Sequence, residues 1–262
     1  MAASGQVASA NEIDNFQLNL PGGPLDIGLS QLGFNGESYV NNSPTGDPSV
    51  FTFTDTGVFN FTQKGNGVVL PLGGGQLTAY YHGATGTAVL NGGLSFNAGG
   101  LLDIYYSPTI TYGTSSANVY GATSGTKIAT FTQIAGSSGS SVNPDGTPSS
   151  NGSLTLNFSA SFLAAGVWRD STGTPLPLAF TLGFVTSNAS EDLTGGCNAA
   201  CPVSIDPNLV TALGGTVPNV EPNHFFVNNG GQLKLEAVPE PASIGLLGLG
   251  LATLAFVRRR RA

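Results

Sequence analysis

From Ser153 to Phe162 the chain alternates without a miss. Leu154, Leu156, Phe158, Ala160 and Phe162 fall on one side, and Ser153, Thr155, Asn157, Ser159 and Ser161 on the other. Successive side chains of a β-strand point to opposite faces, so this period of two describes a strand with one face packed and the other in water. The pattern recurs. Phe51, Phe53, Phe59 and Phe61 oppose Thr52, Thr54, Thr56 and Asn60, with a bulge or turn expected at Asp55-Thr56-Gly57. Leu77, Ala79 and Tyr81 oppose Thr78, Tyr80 and His82, and shorter alternating runs cover Leu101–Tyr106, Ile128–Ile134, Phe180–Phe184, Phe225–Val227 and Leu233–Ala237. Glycine pairs and the turn Lys64-Gly65-Asn66-Gly67 separate them. Ala135–Asn151 is rich in Gly, Ser and Pro without periodicity and is expected to be a surface loop. Sustained helical periodicity is missing from the body, apart from one expected helical turn at Leu209–Leu213. Many short alternating strands joined by Gly-rich turns predict an all-β, antiparallel two-sheet sandwich or jelly-roll-like body over residues 11–237.

Residues 238–262 are of a different kind. Val238-Pro239-Glu240-Pro241 is followed by an apolar run from Ile244 to Val257 and then by Arg258, Arg259, Arg260 and Arg261. Each proline fixes φ and holds the residue before it extended, so the triplet Pro239, Glu240, Pro241 is expected to be an exposed, readable peptide. Pro241 suits the first position of a helix, where its missing N–H would have been unpaired, and Glu240 places negative charge at the positive end of the dipole. A helix over about Ala242–Val257 would be on the order of 24 Å long, slightly short of the roughly 30 Å hydrocarbon core. Snorkelling arginines compensate for that, and as a cytoplasmic stop they leave everything before Pro239 outside the membrane. A single C-terminal transmembrane helix is therefore expected.

The combination of the Pro-Glu-Pro triplet, the short span and the arginine cluster resembles the PEP-CTERM sorting signal, also described as the C-terminal domain of certain ice-binding proteins. The resemblance implies a protein exported from a Gram-negative cell and inserted transiently in the inner membrane. Exosortase, a membrane enzyme, would recognise the triplet and remove the tail, leaving the body at the cell surface or in the extracellular matrix. Export also requires a signal peptide. Met1–Ala10 has neither a basic n-region nor an apolar run, but Ala8-Ser9-Ala10 has the small-residue pattern of a cleavage site, so residues 1–10 are expected to be the remnant of a signal's end.

Charge narrows the partners. A net charge of −7, with 9% charged residues and the only basic cluster at the membrane edge, disfavours nucleic acid and, without bridging cations, anionic polymers. Cys197 and Cys201 have the wrong spacing for a C-x-x-C redox motif and lack neighbouring His or a second Cys pair for zinc. A small-loop disulfide is the preferred expectation, and an exported chain suits it.

The chemistry-bearing inventory of the body is thin. His82 and His224 are each more simply hydrogen-bonding strand residues than catalytic or metal-binding ones, and neither G-x-S-x-G nor H-E-x-x-H occurs. Asn143-Pro144-Asp145-Gly146 is better explained as a turn than as a calcium loop. Trp168 is either a core residue or an indole offered to a sugar face. Of Tyr80, Tyr81, Tyr105 and Tyr106, adjacent pairs must point to opposite faces, so at least half are expected in the core. No enzymatic activity, metal or cofactor is expected.

Four segments of the body, Phe51-Thr52-Phe53-Thr54-Asp55-Thr56-Gly57, Leu77-Thr78-Ala79-Tyr80, Gly99–Tyr106 and Ile128-Ala129-Thr130-Phe131, look like those of flocculation-associated members of the sorted family. That likeness implies a surface or matrix protein of flocs and biofilms that helps cells aggregate together with exopolysaccharide. The alternative is a carbohydrate- or ice-binding module using a Thr-rich strand face such as Thr52, Thr54 and Thr56. A secreted hydrolase is the weakest expectation.

Overall fold

The computed structural model of the chain describes residues 11–89, 93–142, 148–178, 180–194, 206–215 and 224–237. The first strands are β1 (Asn11–Glu12), β2 (Phe16–Asn19), β3 (Leu25–Leu29), β4 (Leu32–Pro44) and β5 (Val50–Lys64). After a 3-10 turn at Gly65–Gly67 come β6 (Val68–Val69), β7 (Gln76–Val89), β8 (Leu94–Phe96) and β9 (Leu101–Ser107). A single turn α1 (Ala117–Tyr120) precedes β10 (Thr126–Gln133), β11 (Ser138–Val142), β12 (Pro148–Leu163), β13 (Trp168–Arg169) and β14 (Phe180–Thr194). The helix α2 (Pro207–Ala212) and β15 (His224–Ala237) end the described chain.

The all-β, antiparallel character is as expected, and two sheets are present, of twelve and three strands. The larger one closes on itself. Its ladders run β4, β5, β7, β9, β10, β12, β14, β15 and back to β4, each pair antiparallel. This is a ring of eight strands, a barrel, where two facing sheets were expected. Among the described residues, closure leaves no long unpaired edge. Between β7 and β12 the ring is bridged twice, by β9 and β10 towards one rim and by β8 and β11 towards the other.

An eight-stranded barrel is just wide enough for side chains to fill. Here they do: Phe53, Phe59, Phe61, Leu77, Tyr81, Phe96, Ile104, Phe131, Leu156, Phe158 and Leu233 belong to one buried cluster. Tyr81 meets Phe158 edge-on at 5.9 Å, and Phe53 meets Phe96 at 5.0 Å. The alternation drawn at Phe51–Phe61 therefore holds, and that of Ser153–Phe162 holds as far as Ala160, with the apolar set facing the lumen; a register shift against β10 after Ala160 turns Phe162 outward, 43% exposed. The expected bulge also occurs, but β7 carries the extra residue, between Asp55↔Ala84 and Gly57↔Tyr81. Gly83 sits there with φ +67°, a left-handed conformation that glycine takes without a Cβ clash.

The three-stranded sheet, ordered β13-β2-β3, packs at the rim where β12 ends. Phe16 stacks on Trp168 at 6.3 Å, and Trp168 donates its indole N–H to the Ile128 carbonyl at 2.9 Å. Trp168 is thus a core residue. The loop expected over 135–151 is only partly one, because β11 and the first residues of β12 lie in it. The helical turn near Leu209 is present as α2, capped by Asp206. Among the described residues no helix is long and apolar enough to cross a membrane, and the expected transmembrane helix lies outside them.

Candidate functional site

The barrel has two unlike ends. β15 is held to its last residue: Ala237 pairs with Asn11 on one side and with Phe180 on the other. At this rim also lie Leu32, Lys64, Gln76, Ser107 and Leu163, the terminal residues of their strands. Pro239, Glu240, Pro241 and Arg258–Arg261 come after Ala237 in the chain and lie outside the described residues. Thr194 and His224, which flank the segment containing Cys197 and Cys201, end their strands at the opposite rim. The two cysteines and residues 143–147 are likewise outside the described residues.

The wall nearer that far rim carries hydroxyl side chains in register. Ser43 faces Thr52, Thr52 faces Thr87, Thr87 faces Ser95, Ser95 faces Ser138 and Ser138 faces Thr155. Directly paired residues share a face, so this is one continuous row across β4, β5, β7, β8, β11 and β12, roughly 24 Å long at the usual strand spacing. All of its members are exposed except Thr87, which is half-buried. A second row runs alongside. Asn41 faces Thr54, Thr54 faces Thr85, and Asn97 donates its side-chain amide to the Thr85 hydroxyl at 2.9 Å. Neither row contains a charged residue.

Charge gathers nearer the tail rim. On the outer wall of β7, β9 and β10, Asp103 accepts from Thr130 Oγ1 at 2.6 Å and from Lys127 Nζ at 2.8 Å, with His82 Nε2 at 3.3 Å. Burial opposes ionisation of Asp103, but the bonds from His82, Lys127 and Thr130, with the Lys127 charge, outweigh it and hold the carboxyl well below the usual carboxylate range. Tyr80 stacks on His82 at 4.5 Å, and Lys127 lies 5.6 Å from the Tyr105 ring centre. Tyr80 and Tyr105 are half-exposed, whereas Tyr81 and Tyr106 are 1% and 2% exposed, which divides the four tyrosines as strand alternation demands. His82 is therefore a hydrogen-bonding strand residue, as expected. Among the described residues no three His, Cys, Asp or Glu side chains gather as metal ligands.

Above this wall, residues 109–122 and α2 cover a second apolar cluster of Tyr39, Val58, Ala122, Leu209, Val210, Leu213 and Phe226. Gln76 pins the cover through Oε1, which accepts from the backbone amides of Thr111 and Tyr112 at 2.6 and 2.8 Å. Tyr120 donates to Asp206 at 2.8 Å and so ties α1 to α2. Asn118, Val119 and Tyr120 all have positive φ, of 50°, 48° and 60°, which is costly for a β-branched residue such as Val119.

One titratable group went unnoticed in the sequence. Asp55 faces the lumen, 5% exposed. Burial pushes its carboxyl up to about 7, against the bonds it accepts from the Ser38 hydroxyl and the Thr56 amide. Asn229 donates to Ser38 Oγ at 3.0 Å, and Oδ1 of both Asp55 and Asn229 is buried without a protein partner among the described residues. The signal was available, since Asp55 shares the odd parity of Phe53 and Phe59.

The PEP-CTERM protein-sorting motif matches residues 237–261, so the match begins on the last residue of β15. It marks an exosortase substrate, secreted and held in the membrane by its tail before processing. No curated protein and no solved structure matches the chain.

Proposed function

We propose that this exosortase-sorted barrel is a non-enzymatic surface or matrix protein of a Gram-negative cell. Its body touches neutral exopolysaccharide and so helps cells aggregate. The observation that carries the proposal is the uncharged hydroxyl row from Ser43 to Thr155, which lies towards the rim opposite the tail. While the tail is in the bilayer, that rim is the end of the barrel farther from the tail. Hydroxyls offer donors and acceptors together without net charge, which suits a polyhydroxylated polymer. Single contacts of this kind are weak, and a polymer that meets many copies sums them. A net charge of −7 repels anionic polymers over the same distances.

Ice is the second reading, favoured by the two-by-two array of Thr52, Thr54, Thr85 and Thr87. A lattice plane asks for a flat face, and barrel strands are twisted and tilted, which places ice behind the polymer.

The test is deletion of the gene, scored for aggregation and matrix retention, and complementation with the full chain or with Thr52→Ala, Thr87→Ala and Ser95→Ala combined. The full chain is expected to restore aggregation and the triple variant to fail while still being exported. Equal rescue by both would remove the row from the function. Thermal hysteresis in the purified wild type, lost in the triple variant, would move the assignment to ice.

A further inference from the structure

A cleft of about 380 Å³ opens on the outer wall nearer the tail rim, between the start of β4, the end of β5 and the middle of β15. It is separate from the hydroxyl row, and its size lies in the range of small-ligand sites, roughly 300–1,000 Å³. Gln31, Asn35, Gln63 and Gln232 supply four primary amides, and Thr62 and Lys64 complete the polar lining. Gly33, Gly67 and Gly231 keep the floor low. A Cβ on Gly33 would stand 3.1 Å from the Gln63 Cβ and crowd that side chain.

Among the described residues none of the four amides hydrogen-bonds another protein group, whereas Gln76 elsewhere is bonded through both Nε2 and Oε1. Phe34, the only large apolar residue of the lining, is 5% exposed, so no greasy wall invites an apolar ligand. The one cation is already matched, with Lys64 Nζ 2.7 Å from Asp26 Oδ1, which removes the attraction for a phosphate or carboxylate. Among the described residues no carboxylate lines the cleft, so a metal ion finds no charged ligand there. What remains is a neutral ligand with many groups that donate and accept at once. An amide presents one donor pair and one acceptor in a plane, which matches adjacent hydroxyls of a sugar ring.

We propose that this cleft is a binding site for a short stretch of neutral saccharide, with Gln63 and Gln232 as its principal contacts. Both are exposed, so their removal leaves the barrel's packing intact. The experiment titrates the full chain, in detergent, with maltohexaose, cellohexaose and a galactose hexamer, with hexagalacturonate as the anionic control. It uses calorimetry or ligand-observed NMR. At least one neutral hexamer is expected to bind, to weaken about tenfold or more in the combined Gln63→Ala, Gln232→Ala variant, and to keep its affinity in Thr52→Ala, Thr87→Ala. Loss of binding in the glutamine variant with cell aggregation intact supports the cleft and separates it from the row. The proposal is overturned if no neutral hexamer binds the wild type, if the glutamine variant binds as the wild type does, or if hexagalacturonate binds as tightly.

Discussion

Thr52 on β5 faces Thr87 on β7 directly across one antiparallel ladder, and each continues into the next hydroxyl of the same row. If the hydroxyls themselves make the polymer contact, removing them without changing shape should suffice. Thr52→Val with Thr87→Val keeps the β-branch, and stability is expected to stay within about 0.5 kcal/mol per site, as for other surface changes. Aggregation of complemented cells is expected to fall towards the deletion level. Settling assays together with a thermal midpoint check both halves.

Asp55 makes stability fall as pH rises. Its folded value of about 7 lies above the ordinary 3.8, so between those limits the folded chain holds a proton that the unfolded chain has lost. Its stabilising contribution is complete below the unfolded value and is gone once pH passes the folded one. The loss is on the order of 4 kcal/mol at about 1.4 kcal/mol per pH unit. Asp55→Asn is expected to match the wild type near pH 3, below the unfolded value, and to exceed it at pH 8. Urea unfolding at the two pH values decides this.

Asp103 acts in the opposite sense. Its folded value is depressed, so its contribution is complete above the unfolded carboxylate value and is lost as pH falls through the folded one. Asp103→Asn leaves Lys127 without its carboxylate and is expected to cost about 1–3 kcal/mol at neutral pH. The same variant should flatten the acid side of the stability profile. Unfolding curves from pH 2 to 6 test that shape.

Gly86 sits at a crowded point of the barrel wall. A Cβ there would lie 2.3 Å from both Phe53 Cζ and the Ser95 carbonyl oxygen, and the latter is backbone that cannot step aside. Gly86→Ala is expected to destabilise by about 1–3 kcal/mol, as overpacked cores do. Gly22→Thr is not a fair control because its φ is +69°. Gly46→Ala meets nothing within 4 Å and is expected to be silent. Chemical denaturation of the two alanine variants makes the comparison.

Strand identity was legible wherever apolar and polar residues alternate, as at Leu154–Ala160 and Phe51–Phe61, because burial of one face imposes that period. Closure was not, since it rests on pairings such as Phe225 with Val40 that join distant parts of the chain. β11 escaped because Ser138-Gly139-Ser140 has no apolar face to reveal a strand. The hydroxyl row was half visible: Thr52 and Thr54 stand out along one strand, but their alignment with Thr87 and Thr85 is a matter of register between strands. The amides of Gln63 and Gln232 leave no trace in sequence at all, because polar residues on a wet wall look alike until the cleft brings them together.

The account depends most on the change of character after Ala237, and intact-mass analysis of the exported chain tests it directly. In cells that contain exosortase, the mature protein is expected to end near Pro239–Pro241 and to lack the mass of the apolar run and Arg258–Arg261. The combined Pro239→Ala, Glu240→Ala, Pro241→Ala variant is expected to keep its tail and remain with the membrane. A mature wild-type protein that still carries its arginines, or a variant trimmed as the wild type is, would contradict it.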